Sequence, residues 1–389
     1  MTTFTEILFW GSLLMILYAY FGYPAVLYSL SLLRASFGSM APRPGTAEGF
    51  RPRVSLLISA YNEEAVIEGK IINSLSLNYP AELLEIVVIS DGSTDRTDEI
   101  AARYRDRGVT LRHYEGRIGK TECLNRAVPL SSGDIIVFSD ANSKYNKEAI
   151  GELVGHFVDP GIGFMTGWTK YLSKSAGGGS SLGIYSGIEK TTKILESRIG
   201  SCIGADGAIF AIRKELFLPL RNYDINDFVI PLKVVQQGFR GKLEERAFCY
   251  ESAVEGVKGE FHRQVRINNR TIRAIFNNRK LLNPFRFGKF SFELFSHKIC
   301  RILVPFFLIS LLTTNMLLSA GGPFYAAALA GQFLFYLVAW LNHINVKTDY
   351  LPGSASAVHT FVVANAAILW GLVKYLKGET YTTWSPTMR

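Results

Sequence analysis

From Ile7 to Leu33 the chain carries no charged residue, and three more apolar stretches, 299–320, 324–341 and 355–375, follow toward the C-terminus. Each is near the ~20 residues needed to cross a bilayer core, and only a helix satisfies its own backbone there. The expected organisation is an N-terminal transmembrane helix over 1–38, a linker over 39–52, and membrane helices over 299–376 with a tail over 377–389. The start MTTFTE has no basic residue and the first stretch exceeds a signal-peptide core, so it reads as an uncleaved span. Arg34, Arg43, Arg51 and Arg53 follow it, which places its end in the cytoplasm. The far end conflicts: three crossings from the cytoplasm leave the C-terminus outside, whereas Lys374, Lys377 and Arg389 favour inside. The conflict disappears if one stretch is re-entrant or interfacial, and 355–375, with His359 and Asn365, is the one expected to be.

The charge is concentrated in one place. The net +9 resides in 258–301, where eleven Lys and Arg face two acids, leaving 31 of each sign elsewhere. That excludes a nucleic-acid surface spread over the protein. Within the segment, Arg263, Arg266, Arg270 and Arg273 recur at helical spacing, so 258–298 reads as basic amphipathic helices at the surface of an anionic membrane. The isolated Cys123, Cys202, Cys249 and Cys300 show no metal or disulfide spacing and suit a reducing compartment.

Between the membrane stretches, over 53–257, the pattern alternates. Apolar runs at 54–59, 85–90, 109–114 and 135–139 read as strands, and 63–77, 95–105 and 119–128 as helices; together they predict an α/β domain with a mostly parallel sheet. Further on, 162–172 and 208–212 read as strands, 184–198 as a helix and 175–183 as a hinge. Three strands end in polar clusters, at Tyr61-Asn62-Glu63, Asp91-Gly92-Ser93 and Asp140-Ala141-Asn142. In such sheets, ligands bind beyond the carboxyl ends of the strands, so these clusters share one crevice. Each residue also has a plain structural reading: Asp140 as a turn acid, and Glu63 and Asp227 as first-turn helix acids.

The segments SLLISAYNEE, IVVISDGSTDRT, GKTECLNRAV and IIVFSDANS, in this order, resemble the nucleotide-sugar-binding half of the membrane-bound family 2 glycosyltransferases, which have a Rossmann-like GT-A fold. The resemblance runs from about Pro52 to Phe276. It implies that Ala60, Tyr61, Glu63 and Asp91 cradle the nucleoside and that Lys120, at a helix start, meets phosphate. It also implies that Asp140 and Asn142 hold Mg2+ or Mn2+ against the diphosphate. Asn142 departs from the family's second Asp, so metal affinity is expected to lean on the donor. Gly204 and Asp206 fall in the family's sugar-contacting segment, and Asp227 matches the general base, with Asp224 as its rival. Arg263 and Arg266 fall where processive members carry Q-x-x-R-W; Arg266 matches the motif Arg, expected near the donor diphosphate, while Arg263 replaces Gln and Ile267 replaces Trp. The implied enzyme is an inverting glycosyltransferase of the inner membrane. Its catalytic domain faces the cytoplasm, and it moves a sugar from a nucleotide-sugar donor to a lipid-linked, polyprenyl-type acceptor for surface polysaccharide or glycolipid synthesis. A processive polysaccharide synthase is the nearest alternative. A nucleotidyltransferase lacks support, since no early G-G-x-G-T-R loop exists, and a non-catalytic nucleotide-sugar-binding membrane protein is the remaining alternative.

Overall fold

In the computed structural model, residues 2–36, 49–172, 181–252, 257–344 and 353–382 are described. The linker expected over 39–52, the hinge over 175–183 and the tail beyond Thr382 lie largely outside them. The strands of the α/β domain are β1 (Val54–Ala60), β2 (Leu84–Asp91), β3 (Val109–Tyr114), β4 (Ile135–Asp140), β5 (Lys144–Tyr145), β6 (Ile162–Leu172), β7 (Ile209–Arg213) and β8 (Arg240–Ser252). They form one sheet in the order β3-β2-β1-β4-β7-β6-β8-β5. The β3-β2-β1-β4 half is parallel, β7 runs antiparallel to both its neighbours, and β6 pairs with β8 in parallel. The sheet is Rossmann-like and mixed.

Continuous apolar runs form β1 and β4 because both faces are covered. Along β1, Leu56 and Ile58 face Ile67, Ile71 and Leu153, whereas Leu57 joins Phe138, Leu124, Phe210 and Ile230 on the other side. Phe138 and Phe210 stack with ring centroids 4.6 Å apart. Each such side chain contributes ~1.5–3 kcal/mol on burial. The helix expected from residue 63 starts at Ile67 instead. Asn62 there has φ 51°, and the Asn62, Glu63 and Glu64 backbone amides donate to Ser93, Thr97 and Asp95 side chains at 3.2, 2.8 and 3.0 Å, so the segment is a loop pinned to its neighbour.

β8 had no counterpart in the sequence pattern. Its charge-rich face is half-exposed, with Glu244 accepting from His156 at 2.6 Å and Arg246 reaching Glu152 at 2.7 Å, so no clean apolar alternation survives. Gly241 lets β8 pass over the Phe164 ring, where a Cβ would lie 1.9 Å from the ring carbons.

Among the described residues four helices are long and apolar enough to cross a membrane: Thr3–Ser36, Lys289–Gly321, Pro323–Ile344 and Ser356–Leu376. The first and second pack together, with Ser12 donating to Ser310 at 2.9 Å, and Phe9 on the first lies edge-on to Tyr325 on the third. They meet the α/β domain through helix Ser181–Ile199. Glu196 accepts from Tyr23 at 2.7 Å, His297 bridges Glu196 (2.7 Å) and Glu189 (2.9 Å), and Arg301 donates to Glu189 at 2.5 Å. The helix Gly353–Leu376 packs two ways: Phe361 meets Phe335 and Tyr20 of the other apolar helices, and the helix also lies along the basic helix Val257–Asn277, where Phe276 stacks on Tyr375 and a Cβ on Gly371 would sit 3.0 Å from the Val265 carbonyl oxygen.

Candidate active site

The chain leaves β1 toward β2 and β3 on one side and returns to β4 on the other, so the strand order reverses between β1 and β4. A crevice opens at such a point. Register brings the predicted residues level: Ser59 pairs with Asp140 and Ala60 with Ser90, next to Asp91.

On the β2 side, Asp91 is only 2% exposed. The Gly119 amide donates to both its oxygens, at 2.9 and 3.2 Å, and Arg117 Nε stands 3.7 Å away. The Arg117 guanidinium lies 3.4 Å from the centre of the Tyr61 ring. A planar cation on an aromatic face beside a buried carboxylate is chemistry suited to a flat heterocycle. Glu63 is buried and opens the first turn, its carbonyl accepting from Val66 and Ile67 at 3.0 and 2.9 Å. Gly92 permits the close approach of these loops: it has φ 68°, and a Cβ would fall 2.4 Å from the Gly116 carbonyl oxygen. Gly92→Ala is expected to destabilise the fold by ~2–4 kcal/mol and to weaken nucleotide binding, read by thermal melting and nucleotide titration.

On the β4 side, Lys120 Nζ ion-pairs with Asp140 Oδ1. Lys120 begins helix Lys120–Ala127 after Gly119, whose φ of 90° turns the chain into it. Asn142 occupies the turn after β4. Beneath that turn the fully buried Lys70 donates to the Ser143 carbonyl at 2.6 Å and lies over the Tyr145 ring; burial brings its pKa down to about 7. Among the described residues no group of three or more His, Cys, Asp or Glu side chains is placed to hold a metal ion. One carboxylate, already paired with an ammonium, and one amide oxygen fit a hard cation only when phosphate oxygens complete the set.

Across the crevice, Asp227 sits in the first turn of helix Asn226–Gln236. Its Oδ1 is buried without a hydrogen-bond partner. Burial raises its pKa; Lys120 and Lys193 oppose the rise, while Asp140 and Asp206 reinforce it. Asp206 serves a turn: its carboxylate accepts from the Thr169 amide at 2.9 Å, the Thr169 hydroxyl at 2.9 and 3.0 Å, and the Ala208 amide at 3.1 Å. The Asp224 carboxylate likewise accepts the Arg221 amide at 2.9 Å. Gly204, at φ 77°, packs against Phe228.

The basic helix faces the domain rather than lipid at two of its four arginines. Arg270 donates to the Tyr223 carbonyl at 3.1 Å and to the Asp224 carbonyl, and burial lowers its pKa to about 10. Arg273 donates to the Glu379 carbonyl at 2.8 Å. The expectation of a lipid-facing row is corrected there, because helical spacing shows which residues share a face but not what covers it. Arg263 is paired with Glu260 at 2.7 Å, and Arg266, its charge disfavoured by burial and by Arg263, lies near Tyr381. Neither is brought to the Asp140 pair by any contact described.

Three site residues carried no sequence signal strong enough to find them. Arg117 could have been found from its place two residues before Gly119-Lys120. Lys193, between Glu189 and Glu196 on one helix, and the Thr382 carbonyl, 2.7 Å from where a Gly119 Cβ would stand, are visible only in three dimensions.

The sheet is open and mixed, with carboxylates at its switch point, where ligands bind in α/β folds. Residues 55–218 match the model of the family described as "Glycosyl transferase family 2". The poly-beta-1,6-N-acetyl-D-glucosamine synthase of Staphylococcus aureus is 27% identical over 221 residues, 55% of this chain and 53% of that protein. The chain thus spans about half the length of the curated relatives it matches. The beta-monoglucosyldiacylglycerol synthase of Synechocystis is 37% identical over 117 residues, 29% of this chain and 24% of that protein. Among solved structures, a mannosyltransferase from Pyrobaculum calidifontis, in complex with GDP-Man and Mn2+, superposes with a TM-score of 0.65 at 22% identity over 94% of this chain and 99% of that one, a likeness of fold.

Proposed function

We propose that this protein is a glycosyltransferase that transfers a sugar with inversion from a nucleotide-sugar donor to a lipid-linked acceptor at the cytoplasmic face of a membrane. The observation that carries the reading is the crevice itself. A cation–carboxylate pair at one end, Lys120 with Asp140, faces a base with an unengaged oxygen, Asp227, on a domain docked against apolar helices. Tyr61, Arg117 and Asp91 bind the nucleoside, with Ala60 and Glu63 shaping that loop. Lys120 shifts from Asp140 to the diphosphate, aided by the amides at the helix start. Asp227 Oδ1 takes the acceptor hydroxyl's proton as the oxygen attacks the anomeric carbon, and the sugar–phosphate bond breaks. Asp140 and the Asn142 carbonyl would hold Mg2+ or Mn2+, which would supply positive charge to the leaving diphosphate.

Because the protein offers that metal a single carboxylate, binding is expected to be ordered. Calorimetry should give weak Mn2+ affinity for the protein alone and at least about tenfold tighter affinity with nucleoside diphosphate present. Tight binding without nucleotide would refute the order.

The packing along the basic helix supports the following membrane arrangement. Helices Thr3–Ser36, Lys289–Gly321 and Pro323–Ile344 cross, whereas Gly353–Leu376, packed along Val257–Asn277, lies in the interface. The C-terminus then returns to the cytoplasmic side, in agreement with Lys374 and Lys377. Three crossings are few for lining a polymer channel. The synthase relative keeps a processive enzyme as the second reading, and product length on gels separates the two. The first experiment is a screen of UDP-, GDP- and dTDP-sugars with polyprenyl-linked acceptors. Asp227→Asn serves as the blank, and no nucleoside diphosphate release from any donor would refute the reading.

A further inference from the structure

A groove of about 390 Å3 lies where the N-terminal helix reaches the catalytic domain, lined by Leu27, Leu30, Arg34, Ile199, Lys289, Phe292 and Glu293. It takes no part in the sugar-transfer chemistry. Its walls at Leu27, Leu30, Ile199 and Phe292 are apolar, and its mouth is cationic. Arg34 is held there by donating to the Arg198 and Ile199 carbonyls at 2.7 and 2.8 Å, and its charge reaches Lys242 on β8. Lys289 stands exposed on the other lining helix, its charge reaching Glu293. Into this wall projects Glu293, 1% exposed, whose carboxyl oxygens make no hydrogen bond of good geometry, the Ser201 backbone amide being the near donor. Gly200 opposite leaves it room, since a Cβ there would stand 2.9 Å from Oε1. A buried carboxyl without a well-placed donor is costly, so the site calls for a ligand that brings one.

We infer that this groove holds one phospholipid of the cytoplasmic leaflet. Its phosphate lies between Arg34 and Lys289, an acyl chain runs along Leu27, Leu30 and Phe292, and a head-group hydroxyl or ammonium donates to Glu293. The three features require one another. Two cations select a phosphate, the apolar wall orients a chain toward the bilayer, and the carboxyl requires a head group with an O–H or N–H. Phosphatidylglycerol and phosphatidylethanolamine meet all three, whereas phosphatidylcholine, a quaternary ammonium, has no donor. The inference rests on the membrane reading above but not on the sugar-transfer chemistry. The lipid would tie the N-terminal helix to helix Lys289–Leu294 beside the His297 network.

Native mass spectrometry of the full chain in micelles, titrated with the three phospholipids at equal chain length, tests it. One phosphatidylglycerol or phosphatidylethanolamine is expected to be retained roughly tenfold over phosphatidylcholine, the ratio one hydrogen bond supports. Glu293→Leu should bring the three lipids near parity. Leu30→Trp, which fills the groove from a side chain 41% exposed, should abolish retention of all three while leaving nucleoside diphosphate binding unchanged. Equal retention of phosphatidylcholine by the native protein, lipid retained by Leu30→Trp, or displacement of the phospholipid by undecaprenyl phosphate would each overturn the inference. Because the readout is lipid mass, loss of sugar transfer alone leaves it untouched.

Discussion

Asp227→Asn is expected to lower the rate of sugar transfer by about 100- to 10,000-fold while nucleoside diphosphate binds as before, since general-base catalysis contributes on that order. The amide keeps the size of the side chain and cannot accept the proton. Burial of Asp227 supplies an independent check through pH. Its pKa is raised, so the carboxylate that acts as base is fully formed only above that raised value. Activity is therefore lost as pH falls through it, and the acid limb of kcat/KM stands above the ~3.9 of a free Asp. Lys193→Met removes a cation that opposes the rise and should move this limb to higher pH. An acid limb that Lys193→Met does not move, or an Asp227→Asn variant with most of its turnover, would reassign the base.

Gly207→Ala is expected to cost about 100-fold in kcat with little change in melting temperature or donor KM. The position needs no special backbone angle, but a Cβ would stand 2.8 Å from Asp227 Oδ2 and 3.4 Å from its carboxyl carbon. The flexible carboxyl end yields rather than the backbone, and it swings away from the acceptor. A displacement of ~1 Å at a reacting group carries a loss of that order. A crystal structure of the variant with an undisturbed Asp227, or unchanged kcat, would refute the argument. Read together, the two variants separate the chemical competence of the base from its placement.

Residues whose environment is set by their own strand were legible in the chain. β1, β2 and β4 announce themselves as unbroken apolar runs because both faces are covered, and the polar clusters at their ends mark where the cover stops. Asp91 and Asp140 were found that way. β8 was not, since a half-exposed strand rich in ion pairs has no alternation to read. The basic helix was half legible: the spacing of its arginines predicts one face, but Arg270 and Arg273 face the catalytic domain and the segment at Glu379 because a second helix covers the other side. Lys193 illustrates a further limit. It is an ordinary helical lysine in sequence, and only the fold sets it beside Asp206 and Asp227.

The sequence by itself determined the class of the domain, the strand ends that carry its carboxylates, and the need for apolar helices on either side of it. Period and run length report what covers a segment's own faces, and these properties depend on nothing else. The tertiary structure alone decided that Lys120 pairs with Asp140, that Arg117 lies on Tyr61, that Gly207 confines Asp227, and that Glu293 stands unpaired in an amphiphile-shaped groove. Those facts are distances between residues far apart in the chain, and a distance is set by how elements pack, which no local pattern encodes.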